Sequence, residues 1–141
     1  MTKLQISLPN HLPFSTQITV LIQHINRANH LANEHLVALL NEARSRYMQQ
    51  LAQQHSAFQA HNFINADLAV IYQSEARHGD LLRIEVGAQD FSRYGCDIVY
   101  RVTQADNAKP VAIAKTAMLQ FDYEKQQLTP TPENFSQWFE I

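Results

Sequence analysis

Between Phe14 and Gln23 apolar positions alternate with mostly polar ones, with Ile18, Val20 and Ile22 interleaved with Thr19, Leu21 and Gln23. A period of two with β-branched side chains predicts a strand. Pro9 and Pro13 argue against a regular element before it. The next stretch, His24 to Asn33, is polar and aperiodic and carries Asn26, Asn29 and Asn33. Asparagine tolerates unusual dihedrals and bonds to nearby backbone, so an ordered turn is expected. The period then changes. From Glu34 to Gln54 there is no glycine or proline, and Leu36, Leu40, Ala43, Tyr47 and Leu51 recur at spacings of three and four. That spacing gives a helix with one apolar face, widened by Val37 and Leu39. Asn33 is the expected N-cap, and Glu34 puts negative charge at the favourable end. A helix of this length spans roughly 30 Å at ~1.5 Å per residue.

A polar link, His55 to Asn62, leads to a run of strands. Ala66, Leu68, Val70 and Tyr72 share one face of the first. Arg77-His78-Gly79-Asp80 is a turn in which glycine permits a positive φ. Leu82, Ile84, Val86 and Ala88 form the second alternation, and Tyr94, Cys96, Ile98, Tyr100 and Val102 the third. Asp106-Asn107 marks a hairpin turn. Val111, Ile113, Ala117, Leu119 and Phe121 then open a long last strand, ended by Pro130 and Pro132, with a short helix expected over Pro132–Phe139.

A strand, one long helix and four strands joined mainly by short turns predict an α+β domain with antiparallel neighbours. The apolar stripe of so long a helix calls for a curved antiparallel sheet wrapped around it. One domain is expected over 1–141, with its core about 14–125 and a C-terminal tail 126–141. Open sheet edges make edge-to-edge dimerisation a natural way to pair backbone groups.

Composition narrows the function. The 141 residues carry 11 basic and 13 acidic side chains, a net charge of −2, without a run of either sign. No concentrated positive surface suits nucleic acid. The one cysteine, Cys96, excludes an intrachain disulfide and suits a reducing compartment. No segment is apolar for ~18 consecutive residues, and Met1–Asn10 lacks the apolar stretch of a signal peptide, so the cytoplasm is the expected location. Gly79, Gly87 and Gly95 are isolated, which argues against a phosphate-cradling loop. His30, Glu34 and His35 lack metal-ligand spacing, and neither metal nor cofactor is expected.

The stretch His24-Ile25-Asn26-Arg27-Ala28-Asn29-His30-Leu31-Ala32-Asn33, followed by Leu36 through Glu42-Ala43-Arg44, resembles the thioesterase family with the hotdog fold. It looks closest to the branch holding 4-hydroxybenzoyl-CoA thioesterase and short acyl-CoA thioesterases. Val70-Ile71-Tyr72 through Gly79-Asp80, with Leu82 and Ile84, resembles that family's strand, Gly-Asp turn and strand. The similarity covers roughly residues 14 to 125. It implies a helix enclosed by an antiparallel sheet, and a dimer, with tetramers open, whose active sites lie between subunits. It further implies substrates in which an acyl group is joined to coenzyme A or acyl carrier protein. In the family a catalytic aspartate sits four residues before the histidine of a Gly-His-X-Asn-type run. His30 matches that histidine, which puts Asn26 at the aspartate position and Asn29 where glycine is usual.

Hydrolysis of a thioester needs an oxyanion donor, a group that activates water and a groove for the acyl chain. The amides of Leu31, Ala32, Asn33 and Glu34, at the helix start, are the candidate donors. Asn26 cannot titrate near neutral pH, so its expected role is to orient water or donate to the carbonyl. His30 either places substrate or holds its loop. Glu42, at the border of the apolar face, is either a base or the i,i+4 partner of Arg46. Asp67 faces away from Leu68 and Val70, toward solvent or toward a partner's loop. Glu75 with Arg77 and Asp97 with Arg93 look like charge compensation on the sheet surface. Asp80 is expected to brace the Gly79 turn, and Cys96 to be a small core group. Two functions lead: a homodimeric acyl-thioester hydrolase, and a non-catalytic acyl-CoA or acyl-carrier binding protein that keeps the fold; a dehydratase-like relative of the same fold is a third, weaker reading, because the sequence lacks that branch's clear His-plus-acid arrangement.

Overall fold

The computed structural model describes residues 3–59 and 62–140; Ala60 and His61 of the polar link, with Met1, Thr2 and Ile141, lie outside the described residues. Its strands are β1 (Phe14–Thr19), β2 (Phe63–Asn65), β3 (Ala69–Tyr72), β4 (Leu81–Gln89), β5 (Gly95–Gln104), β6 (Pro110–Asp122) and β7 (Gln127–Leu128). One helix, α1 (Asn33–Gln54), lies between β1 and β2 in sequence, and 3-10 turns occupy Ile22–His24 and Phe135–Phe139. The sheet runs β1-β4-β5-β6-β2, with β3 and β7 also paired to β6, and every pairing is antiparallel.

Leu36, Leu39, Leu40, Ala43, Tyr47, Met48 and Leu51 of α1 are buried: the predicted stripe with its flank Leu39, and Met48 in addition, whereas Val37, the other predicted flank, is half-buried. They meet Leu82, Ile84 and Val86 of β4 and Cys96, Ile98, Tyr100 and Val102 of β5, all in one core. Burying each large apolar side chain contributes ~1.5–3 kcal/mol before the entropy of ordering it is charged. Tyr100, fully buried, receives a hydrogen bond from the Arg44 guanidinium at 3.1 Å, so its phenol is satisfied beneath the helix.

Several elements differ from the sequence pattern. The first strand stops at Thr19; Leu21 and Ile22 are exposed, and Ile22–His24 winds into a 3-10 turn. In β6 the core-facing residues are Ala112, Ala114, Thr116 and Met118, whereas Ile113, Ala117, Leu119 and Phe121 lie on the outer side, half-buried. The pairing explains the phase: Ala112, Ala114 and Thr116 stand opposite the core residues Val102, Tyr100 and Ile98. Small side chains there leave room for the helix. Of the strand expected through Ala66–Tyr72 only Ala69–Tyr72 forms, as β3; β2 precedes the expected strand, and both pair with β6. Between them Asp67 bonds the ladder with its side chain, its Oδ1 accepting the Ala117 amide at 2.7 Å.

The core also extends past residue 125. Phe135, Trp138 and Phe139 are buried within it. Phe139 stands edge-on to Tyr47 with ring centroids 6.1 Å apart, and its carbonyl accepts the Tyr47 hydroxyl at 3.3 Å. The C-terminal segment therefore closes the end of the barrel-like wrap near the helix C-terminus rather than trailing from it. No helix among the described residues is long and apolar enough to cross a membrane.

Candidate active site

The loop before α1 folds on itself through asparagine. Asn26 Oδ1 accepts the Ala28 amide at 3.0 Å and the His30 amide at 3.2 Å, and Asn26 N–H donates to the His30 carbonyl at 2.8 Å. Asn29 supplies the reversal at φ +66°, a left-handed conformation that asparagine adopts more easily than most residues. The Asn26 side chain thus braces the loop.

The loop is then fastened at its far end. Leu31 N–H donates to the Ala76 carbonyl at 2.7 Å and Ala32 N–H to the His24 carbonyl at 3.0 Å. His35 adds its Nδ1–H to the same His24 carbonyl at 3.0 Å. His24 Nδ1 in turn accepts the Leu21 amide at 2.9 Å, and burial, helped by neighbouring His35, holds the His24 imidazole below its ordinary pKa. The N-cap is Ala32, without a side-chain cap, and Asn33 is the first helical residue. This corrects the sequence reading twice. Asn33 is not the cap, and the amides of Leu31 and Ala32 are spent on carbonyls rather than open to a ligand. Of the four candidate donors, Asn33 and Glu34 keep amides for which an α-helix start offers no carbonyl partner.

Beside this entrance lies a cleft of about 330 Å³. Asn26, His30, Leu31 and Asn33 form one wall, Tyr72 with the segment Gln73–Ala76 the other, and Leu36 and Val111 the apolar part. Leu36, Ala76 and Val111 are each only 2% exposed, so the apolar part is core seen from outside. Across the cleft, His30 Nε2 lies 2.9 Å from Glu75 Oε2.

Glu75 was not singled out by the sequence pattern, which paired it with Arg77. Arg77 does approach, but at 3.7 Å, and Glu75 sits in the connection after β3 rather than on the sheet. No motif marks it. It follows an exposed strand end by three residues and meets His30 only through the tertiary fold. Similarly, Asp97 lies 3.7 Å from Lys115 rather than pairing with Arg93, whose guanidinium lies over the Tyr94 ring. Asp80 does hold its turn, accepting the Arg77 amide at 2.9 Å beside Gly79 at φ +89°.

Asn26 and His30 are brought together with the helix entrance; Glu42 and Asp67 are not. Glu42 bonds Arg46 at 2.8 Å, and Arg46 also reaches Thr16 Oγ1 on β1 at 2.7 Å. Asp67 bonds Lys115 at 2.7 Å on the outer side of the sheet. That ammonium, then the Ala117 amide, hold the Asp67 carboxyl below the usual carboxylate range. Asp97 nearby is raised, chiefly by burial. Cys96 is buried and its thiol is pushed well above its ordinary value, chiefly by desolvation, so it is a core group and no thiolate. Among the described residues no group of three or more His, Cys, Asp or Glu side chains is placed to hold a metal ion.

Comparison with known proteins gives the same architecture. A thioesterase from Thermus thermophilus, complexed with coenzyme A and Zn, superposes with a TM-score of 0.79 at 18% identity, covering 93% of this chain and 100% of that one. A probable thioesterase from Escherichia coli gives 0.76 at 23% identity over 89% and 96% of the two chains. A 1,4-dihydroxy-2-naphthoyl-CoA thioesterase from Synechocystis gives 0.75 at 16% identity over 89% and 94%. No curated protein matches the sequence significantly. A long helix enclosed by a curved antiparallel sheet is the hotdog fold, and the family model of the thioesterase-like superfamily matches residues 20–139, so the chain belongs to that superfamily.

Proposed function

We propose that this protein hydrolyses an acyl thioester, with acyl-CoA as the substrate class, in the manner of the 4-hydroxybenzoyl-CoA and short acyl-CoA thioesterase branch. The observation that carries the reading is the cleft at the start of α1, where an imidazole stands beside first-turn amides that lack carbonyl partners. Such amides, at the positive end of a helix dipole, suit the oxyanion that forms when water adds to a thioester carbonyl. Coenzyme A is suggested by relatives: the Thermus thermophilus protein and one from Staphylococcus aureus are complexes with it. Acyl carrier protein remains the other carrier to assay.

The working unit proposed is a homodimer. β3 pairs with β6 on one side, and among the described residues no strand pairs its other edge. A second copy along that edge would lie beside Tyr72 and the cleft. Glu42 and Asp67 could serve the chemistry only from such a copy, since in one chain both lie away from the cleft. A cytoplasmic location is the companion proposal, resting on the single buried cysteine.

The test is thiol release from acetyl-, hexanoyl-, decanoyl- and benzoyl-CoA by purified dimer. Saturable turnover of at least one is expected, and a folded dimer that releases no thiol above buffer would remove the hydrolase reading. One observation favours a second function, acyl-CoA binding without hydrolysis. Asn26 has no titratable group and its Oδ1 is committed to the loop. Calorimetric binding of those esters with no thiol released would establish it.

A further inference from the structure

Glu75 faces His30 across the cleft, and among the described residues that line it the two are the only carboxylate and the only imidazole. We infer that Glu75 is a positioning residue for His30: it fixes the Nε2–H tautomer and leaves Nδ1 as the basic nitrogen that takes a proton from attacking water. The inference rests on the proposed thioester hydrolysis and names the base of that same site.

The distances require the first half. Glu75 Oε2 lies 2.9 Å from His30 Nε2, and an ionised carboxylate only accepts, so Nε2 carries the proton. Nδ1 has no hydrogen-bond partner among the described residues, and a neutral ring with Nε2–H has its lone pair there. Two other polar groups of the wall are committed elsewhere. Asn26 Oδ1 already accepts two amides, and the Ser74 hydroxyl donates to the Pro110 carbonyl.

Backbone keeps the pair adjacent without help from the side chains. Leu31 N–H donates to the Ala76 carbonyl at 2.7 Å, so His30-Leu31 and Glu75-Ala76 run side by side. Glu75 is 60% exposed, and its removal opens no cavity. The Arg77 guanidinium lies farther from Glu75, at 3.7 Å, and leaves His30 the closer partner.

The step balances. Water oxygen bonds to the thioester carbon as Nδ1 takes one water proton, giving an imidazolium that Glu75 faces. The C–S bond then breaks with its electron pair going to sulfur. The Nδ1 proton passes to the thiolate, so thioester and water become carboxylic acid and thiol with nothing oxidised or reduced.

Two measurements decide it, on wild type, Glu75→Ala, Glu75→Gln and His30→Ala. In ¹⁵N-labelled wild type the His30 ring shifts should report the Nε2–H tautomer, and in Glu75→Ala a mixture. With the best acyl-CoA of the panel, Glu75→Ala should lower kcat by about ten- to hundredfold with KM changed less than about twofold. Glu75→Gln, which retains an acceptor oxygen, should recover part of the loss, and His30→Ala should cost about a hundredfold or more. An Nδ1–H tautomer in the wild type, or unchanged kcat in Glu75→Ala beside active wild type, would overturn this inference and leave the hydrolase reading standing. Wild type that turns over no ester would remove both.

Discussion

Replacing Asn26 with alanine deletes one oxygen that holds two amides. Oδ1 accepts from Ala28 at 3.0 Å and from His30 at 3.2 Å, while the Asn26 backbone keeps its own bonds to His30 and Asn29. The loop is exposed here, so water can take over part of both bonds. Each then contributes a net ~0.5–1 kcal/mol, and Asn26→Ala should cost about 1–2 kcal/mol. For a domain of this length that is a melting point lower by roughly 3–8 °C. Asn26→Asp keeps an acceptor in the same place and adds charge, so it should hold within about 0.5 kcal/mol of wild type. Urea denaturation measures the difference, and hydrogen exchange localises it: the Ala28 and His30 amides should lose protection in the alanine variant and keep it in the aspartate variant. If Asn26→Ala unfolds with the wild type and both amides exchange unchanged, the side chain is not the brace described, and a role toward substrate regains its place.

Gly95→Ala should be strongly destabilising, because a Cβ there would lie 1.9 Å from the Met118 carbonyl oxygen and neighbouring β6 backbone would have to move. About 2–3 kcal/mol is expected by urea denaturation; the same substitution at Gly87, where a Cβ meets the flexible Leu12 Cδ2 at 2.8 Å, should cost less. Asp67 has a folded-state pKa below its ordinary value, so its stabilisation is present above the ordinary carboxylate range and is lost as pH falls through the lowered folded value. Asp67→Asn should therefore lower stability at neutral pH and flatten its decline in acid; an unchanged acid profile would refute the Lys115 and Ala117 contacts as the cause.

The helix was legible in the sequence because burial along α1 repeats one short rule over many turns. Leu36, Leu40, Ala43, Tyr47 and Leu51 all lie in the core where their spacing put them. β4 and β5 were legible for the same reason. The phase of β6 was not, since alanine carries little apolar contrast. Ala112 and Ala114 face the core, while bulkier Ile113 and Leu119 lie outside half-covered. The Asp67 break was hidden because a side chain can stand in for a ladder acceptor without altering the alternation. At the site, the loop and helix start were visible as local sequence. Glu75 was not, because its meeting with His30 depends on where β3 ends against the loop. Which amides remain open was equally a tertiary matter, decided by the carbonyls of His24 and Ala76.

One substitution at Ala32 can close an amide that the wild type leaves open. Helix starts ordinarily carry Ser, Thr, Asp or Asn at the cap, whose oxygen takes an N–H of the first turn. Here the cap is an alanine only 4% exposed, and its carbonyl already receives the amides of His35 at 3.0 Å and Leu36 at 2.9 Å. A cap oxygen would therefore compete with a ligand for Glu34 N–H, the neighbour of the cleft-lining Asn33. Ala32→Ser adds that oxygen for little volume. Capping should stabilise the helix by about 0.5–1 kcal/mol, read by urea denaturation. If the open amides stabilise the reacting carbonyl, the same variant should lose about ten- to hundredfold in kcat, since one of the donors is taken from the transition state. Stability and turnover should thus move in opposite directions. A variant that gains stability and keeps full kcat would show that the helix entrance is not where the oxyanion forms.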